Sequence, residues 1–150
     1  YANKVADGKY CNDRNVQSGQ SWATSGSTFF YTGYKRLYTD YAPTLSCTAL
    51  DTYTLKVGLI TADEVMYAGG KNANNTSYYL YNGQDYWTMS PYMWNGSAGS
   101  YVFYVYSGGH LNWNGASSAL GVRPVINLKA DTLFASEGNG TQNNPYIVAD

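Results

Sequence analysis

The sequence predicts a single α+β domain, and three observations carry that expectation. A capping-box sequence, Thr61-Ala62-Asp63-Glu64, opens a helix that Gly69-Gly70 closes. Two later segments, 100–107 and 121–129, alternate with the period of a strand rather than a helix. Neither an internal repeat nor a low-complexity linker divides the 150 residues, a length that one domain with its own core accommodates. The expected layout is one main helix over about 61–68, with antiparallel strands mostly in the second half.

Taken in order, a short helix is expected around Asn3–Ala6. The run from Tyr53 to Ile60 alternates and then turns continuously apolar, as a strand feeding the main helix would. In that helix the Thr61 hydroxyl and the Glu64 carboxylate accept from each other's backbone N–H. Asp63 and Glu64 also complement the positive N-terminus. Segment 100–107 is bulky on both faces, Tyr101, Phe103 and Val105 against Val102, Tyr104 and Tyr106. Either both faces are covered, or one is left to bind something.

Gly108-Gly109 is a turn signal, His110–Trp113 the returning arm, and Asn114-Gly115 a further turn. In 121–129, Val122, Pro124, Ile126 and Leu128 face one way, with Arg123, Asn127 and Lys129 opposite. Pro124 lacks an N–H and so marks a strand start, an edge or a bulge. Gly138–Thr141 reads as a loop and Pro145–Val148 as a short closing strand. The expected core is Leu55, Val57, Leu59, Ile60, Val65, Trp87, Val102, Tyr104, Val122, Ile126, Leu128 and Ile147.

Composition excludes several classes of function. Charged residues make up 13% of the chain, and nine basic against ten acidic residues give a net charge of −1. A basic stripe is missing, so a nucleic-acid partner is not expected. The longest unbroken apolar or aromatic run, residues 101–106, is far short of the ~20 residues of a spanning helix, so this fragment is expected to make no membrane contact. The chain starts at Tyr1 rather than Met, so any export or anchor segment is expected upstream of it.

Cys11 and Cys47 admit two readings, a bridge closing a 36-residue loop or two separate buried thiols. The low charge and abundant Tyr, Thr, Asn and Ser point to an exported protein and favour the bridge. With His110, the only histidine, the cysteines fall short of the four ligands of a structural zinc, so neither metal nor cofactor is expected. Of the carboxylates, Asp40, Asp51, Asp63, Glu64 and Asp85 are scattered, with two of them in the helix cap, and no nucleophile or phosphate-binding motif occurs. The domain is therefore expected not to be an enzyme. Asp13 and Arg14 could pair with each other, and Arg123 with a buried acid.

From Tyr86 to Val122 the chain runs 37 residues without Asp, Glu, Lys or Arg, yet holds three of its four tryptophans among many Tyr, Asn, Ser and Gly. Such residues give large contact area at low entropic cost, as in binding loops. Tyr and Trp also fill β-sheet cores. A division is expected, with strand aromatics buried and those in Asn/Gly turns displayed. The candidate ligand-binding residues are Tyr92, Trp94, Asn95, Tyr101, His110, Asn112, Trp113 and Asn114.

Several ordered segments carry a resemblance. They are Cys-Asn-Asp-Arg (11–14), Gly-Leu-Ile-Thr-Ala-Asp-Glu-Val (58–65), Ala-Gly-Gly (68–70) and Tyr-Trp-Thr-Met-Ser-Pro (86–91). Gly-Val-Arg-Pro-Val-Ile-Asn-Leu-Lys (121–129), then Gly-Asn-Gly-Thr and Asn-Pro-Tyr-Ile-Val (138–141 and 144–148), complete the set. Together they resemble the C-terminal globular part of exported, often prepilin-like surface proteins of Gram-positive gut bacteria.

The final part, a Trp-rich strand, a hairpin and Gly-Val-Arg-Pro, is similar to the end of C-type-lectin-like folds of the formylglycine-generating-enzyme type. Trp113-Asn114-Gly115 lacks the acid of calcium-dependent lectins, and both cysteines lie in the first third, away from that enzyme's C-terminal reactive pair. The resemblance implies a C-type-lectin-like frame and an extracellular, cell-surface or pilus location. The expected partner is a glycan or a host or bacterial surface protein; in a structural filament subunit, the same surface would pack against identical subunits.

Overall fold

The computed structural model describes residues 2–22, 26–47, 52–71, 73–141 and 143–149. It is a mixed α+β arrangement, and every pairing between named strands is antiparallel. Five short strands occupy the first half: β1 (Val5–Ala6), β2 (Gly8–Cys11), β3 (Thr28–Phe30), β4 (Thr52–Leu55) and β5 (Val57–Leu59). The longest strands come later, β6 (Tyr86–Asn95) and β7 (Gly99–Val105), followed by β8 (Leu111–Gly115) and β9 (Pro124–Leu128). They form a four-stranded sheet β3-β6-β7-β8, a three-stranded sheet β1-β9-β5 and the pair β2-β4.

Two helices pack beside these sheets. Helix α2 (Ala62–Ala68) has Thr61 as its N-cap with both arms of the capping box formed, and Gly69 ends it at φ 122°. A further donor is met from the sheet, where the buried Ser90 hydroxyl accepts the Ala62 N–H at 3.0 Å. Helix α1 begins as one α-helical turn, Thr32–Tyr34, and continues as a π-helical turn, Lys35–Thr39. It was not expected from the sequence, because Gly33 and the aromatic-rich run around it obscure a helical stripe. The chain start forms a 3-10 turn over Ala2–Lys4 before β1, rather than a helix reaching Ala6.

The core lies on one face of the four-stranded sheet. Leu37 of α1 and Ala62, Val65 and Met66 of α2 close over Tyr86, Tyr92, Phe103, Val105 and Leu111. Of the expected core, Val65 and Tyr104 are buried. Leu59, Ile60, Trp87, Val102 and Leu128 are half-buried. Leu55, Val57, Val122, Ile126 and Ile147 are exposed. The three-stranded sheet explains part of this correction. Its register pairs Val57 with Ile126 and Leu59 with Pro124, so these side chains share one face. The sheet packs through its other face, where the Tyr10 hydroxyl donates to the Val125 carbonyl and its ring lies under Gly58. A Cβ on Gly58 would fall 2.4 Å from that ring.

One covalent tie closes the first third on itself, and one ionic cluster binds it to α2. Cys11 and Cys47 are bridged, with Cα atoms 5.3 Å apart. Arg36 donates from Nε and Nη2 to both oxygens of Asp63, at 2.7 and 2.6 Å, and from Nη2 to Asp13 at 2.6 Å. Asp13 thus pairs with Arg36 and not with its sequence neighbour Arg14. Among the described residues, no helix is long and apolar enough to cross a membrane.

Candidate functional site

The sheet's pleat and one irregularity decide where the neutral aromatic stretch goes. Successive residues alternate faces, so Phe103 and its partner Trp113 lie on the core side, with Val102 and Asn114 on the other. In β6, Pro91 cannot donate to a ladder, and the register shifts on either side of it, between Trp87 and Pro91 and again before Met93. Burial alternates through Tyr86, Thr88, Ser90 and Tyr92, so Tyr92 lies on the core side, where its ring meets Phe103 at 5.1 Å and Trp113 at 5.2 Å, and past it the shifted register turns Trp94 away.

Three of the expected ligand residues therefore meet. Trp113, on the edge strand β8, stacks on Tyr92 with 5° between the ring planes. Tyr101 meets Trp113 edge-on, at 5.5 Å and 75°. Tyr92 is buried, Tyr101 half-buried, and Trp113 is 40% exposed. Behind them Tyr34 meets Tyr92 at 5.4 Å, and Tyr38 stacks on Phe103 while donating its hydroxyl to the Leu111 carbonyl at 2.8 Å. Burial, helped by Tyr34, pushes the Tyr92 phenol up to about 12, and burial raises Tyr38 as well. Both stay neutral hydroxyls across the physiological range.

The other expected residues lie elsewhere. Trp94 pairs with Phe29 and Ser100, and its buried indole nitrogen has no hydrogen-bond partner among the described residues. Asn95 ends the same strand. Asn112 and Asn114 spend their side-chain oxygens locally, on the Trp113 and Gly115 N–H groups. Both Asn114 and Gly115 belong to β8, so they are not themselves a turn. His110 leans against Tyr106 at 5.0 Å, and its buried Nδ1 has no hydrogen-bond partner among the described residues. The eight residues do not form one surface; Tyr92, Tyr101 and Trp113 form the rim. Asp51 lies outside the described residues.

Sequence reasoning missed the loop before β6. Tyr78, Tyr79, Leu80 and Tyr81 line a cleft of about 820 Å³ together with Arg123. Their signal was visible, an aromatic run set among Asn, Thr and Ser. Among the described residues Arg123 pairs with no acid; its Cζ sits 4.7 Å over the Tyr86 ring centroid, and Nη1 donates to the Leu80 carbonyl.

Residues 16–130 match the model of a family described as a domain of unknown function (DUF6273). The chain belongs to that family. No curated protein and no solved structure matches it. In this DUF6273 domain the matched span runs from before β3 to just past β9. It holds α1, α2, the whole four-stranded sheet and the aromatic rim. Cys11 and Asp13 lie before the matched span, so the disulfide and the Arg36–Asp13 ion pair tie it to the preceding segment.

Proposed function

We propose that this domain is a non-enzymatic extracellular binding head that contacts a glycan through the Trp113 rim. The carrying observation is the half-exposed Trp113 held flat on Tyr92 and edge-on by Tyr101. A ring fixed on two sides loses little freedom when a ligand stacks on it. Apolar sugar faces suit such a ring, and the neighbouring hydroxyls and amides suit sugar hydroxyls. The Cys11–Cys47 bridge supports a location outside the reducing cytoplasm. The reading extends to a C-type-lectin-like frame displayed by a prepilin-like surface protein, as the sequence resemblance implies.

A glycan array and a surface-protein pulldown with the intact chain test this. Binding to a neutral glycan that Trp113→Ala abolishes is the expected result. A blank array and pulldown, or binding indifferent to Trp113→Ala, would overturn it. The rival reading, in which the rim packs against identical subunits, predicts concentration-dependent association on size-exclusion chromatography that the same substitution removes.

A further inference from the structure

We infer that the cleft beside Arg123 is a second ligand site, selective for a sugar that carries one carboxylate. This goes beyond the Trp113 reading and does not depend on it, since the two sites share no residue. Arg123 is the one Lys or Arg from position 72 through 128, and it is the one charged residue lining the cleft. Among the described residues it makes no ion pair with an acidic side chain. Its guanidinium instead lies over the Tyr86 ring, interacts with the Tyr86 hydroxyl and donates to the Leu80 carbonyl. Arginine has five N–H donors in a planar fork, so most of this set remains for a ligand.

The position of the guanidinium is built in. Trp87 donates to the Gly121 carbonyl and Gly121 to the Asp85 carbonyl, which fixes the chain just before Arg123. Pro124 then starts β9. The facing loop is pinned as well. Asn75 donates from its side chain to the Gly69 carbonyl and from its backbone to Gly108, and the Tyr86 hydroxyl donates to Leu80. A cation held this way, with an aromatic ring on one side, offers its fork without reorganising.

The lining sets the ligand class. Thr76, Ser77, Asn82 and Thr141 supply hydroxyl and amide groups, and Tyr79, 78% exposed, supplies an aromatic ring. One fixed positive charge suits one negative charge, so a polyphosphate or nucleic-acid backbone would lack counter-charge here. Many neutral hydrogen-bonding groups around one cation fit a polyhydroxylated monoanion. Beyond Arg123 and Leu80 lies a second hollow of about 320 Å³, walled by Ile60, Pro124 and Ile126 among others. An apolar substituent of the sugar, such as an N-acyl methyl, would fit there. Uronic and nonulosonic acids both have this chemistry.

The test is calorimetric titration of the intact chain with methyl glucuronide, with N-acetylneuraminate, and with methyl glucoside, which lacks the carboxylate. The proposal expects at least one acid to bind at least about tenfold more tightly than the glucoside, the value of a charge-assisted hydrogen bond. Which acid binds separates the two sources. Arg123→Gln should abolish that preference, and Lys56→Gln, which removes an exposed cation elsewhere, should not. Tyr79→Ala covers the case in which Arg123→Gln unfolds; it should weaken acid binding severalfold at unchanged melting temperature. Equal binding of acid and glucoside, no binding of either acid, or retention of the preference in Arg123→Gln would overturn the inference. A short glutamate peptide or acetate competing as well as the acid sugar would overturn it too. The Trp113 reading, tested with neutral glycans, survives any of these outcomes.

Discussion

Replacing Arg36 with Met should remove a large part of the stability of the fold. The guanidinium is 15% exposed and bridges two carboxylates, each 6% exposed, that come from the chain after β2 and from the first turn of α2. Burial opposes its charge, but the hydrogen bonds and charges of Asp63 and Asp13 outweigh that and raise its pKa, so it stays protonated throughout. Without it, Asp63 keeps the Thr44 N–H at 2.9 Å and Asp13 keeps the Thr32 hydroxyl at 3.3 Å. Two buried negative charges would then face each other uncompensated.

Breaking a buried pair from one side costs about 3–5 kcal/mol, against a total of about 5–15 kcal/mol for a typical domain. Urea unfolding followed by tryptophan fluorescence measures the difference. Arg36→Lys should fall between wild type and Met, because a point charge cannot make the two-pronged contact with Asp63. Adding Asp13→Asn and Asp63→Asn to Arg36→Met should restore more than half of the loss. A cost for Arg36→Met below about 1 kcal/mol, the level of an exposed pair, would refute the argument that the cluster is desolvated.

Reduction of the Cys11–Cys47 bridge, which closes a 36-residue separation, should cost about 3.8 kcal/mol by the chain-entropy relation; denaturant curves with and without reductant check it, and unchanged curves would contradict it. Gly109→Ala should destabilise by about 1–3 kcal/mol, because Gly109 has φ 85° and an added Cβ would meet the Asn75 carbonyl oxygen at 1.8 Å; thermal unfolding reads this. Stability should also fall in alkali. The Tyr92 phenol is pushed up to about 12 in the fold, above its ordinary value near 10, so the unfolded chain releases its proton first. That contribution is whole below pH ~10 and is lost as pH rises toward ~12. Denaturant midpoints on both sides of this window, beside the phenolate absorbance, test it; an unchanged midpoint would contradict it.

Local chemistry made some elements legible from the sequence. The capping box placed α2, Gly108-Gly109 placed the turn between β7 and β8, and Pro124, which marked an edge, a strand start or a bulge within 121–129, proves to start β9. Periodicity shows that a strand has two faces, but not which one packs. The face of β9 with Ile126 was expected inside, yet the sheet closes over Tyr10 through the other. The bulge around Pro91 likewise changes the parity of β6, so Tyr92 and Trp94 cannot be sorted by counting twos. Arg36 and its two acids are 23 and 27 residues apart in sequence, and no local pattern announces such a cluster. The rim was legible in its members, since Tyr92, Tyr101 and Trp113 were all expected at the site. Which of these rings would be buried and which exposed was not, because Tyr and Trp serve both core and surface.

The most direct test of the account is a titration of the intact chain with its array-selected neutral glycan, followed through the indole N–H signals of the four tryptophans. The account predicts that the Trp113 signal moves with the glycan and saturates, while Trp87 and Trp94, placed by the strand register on the opposite side of the sheet from the rim, do not follow it. A glycan that binds with the Trp113 signal unmoved would contradict it.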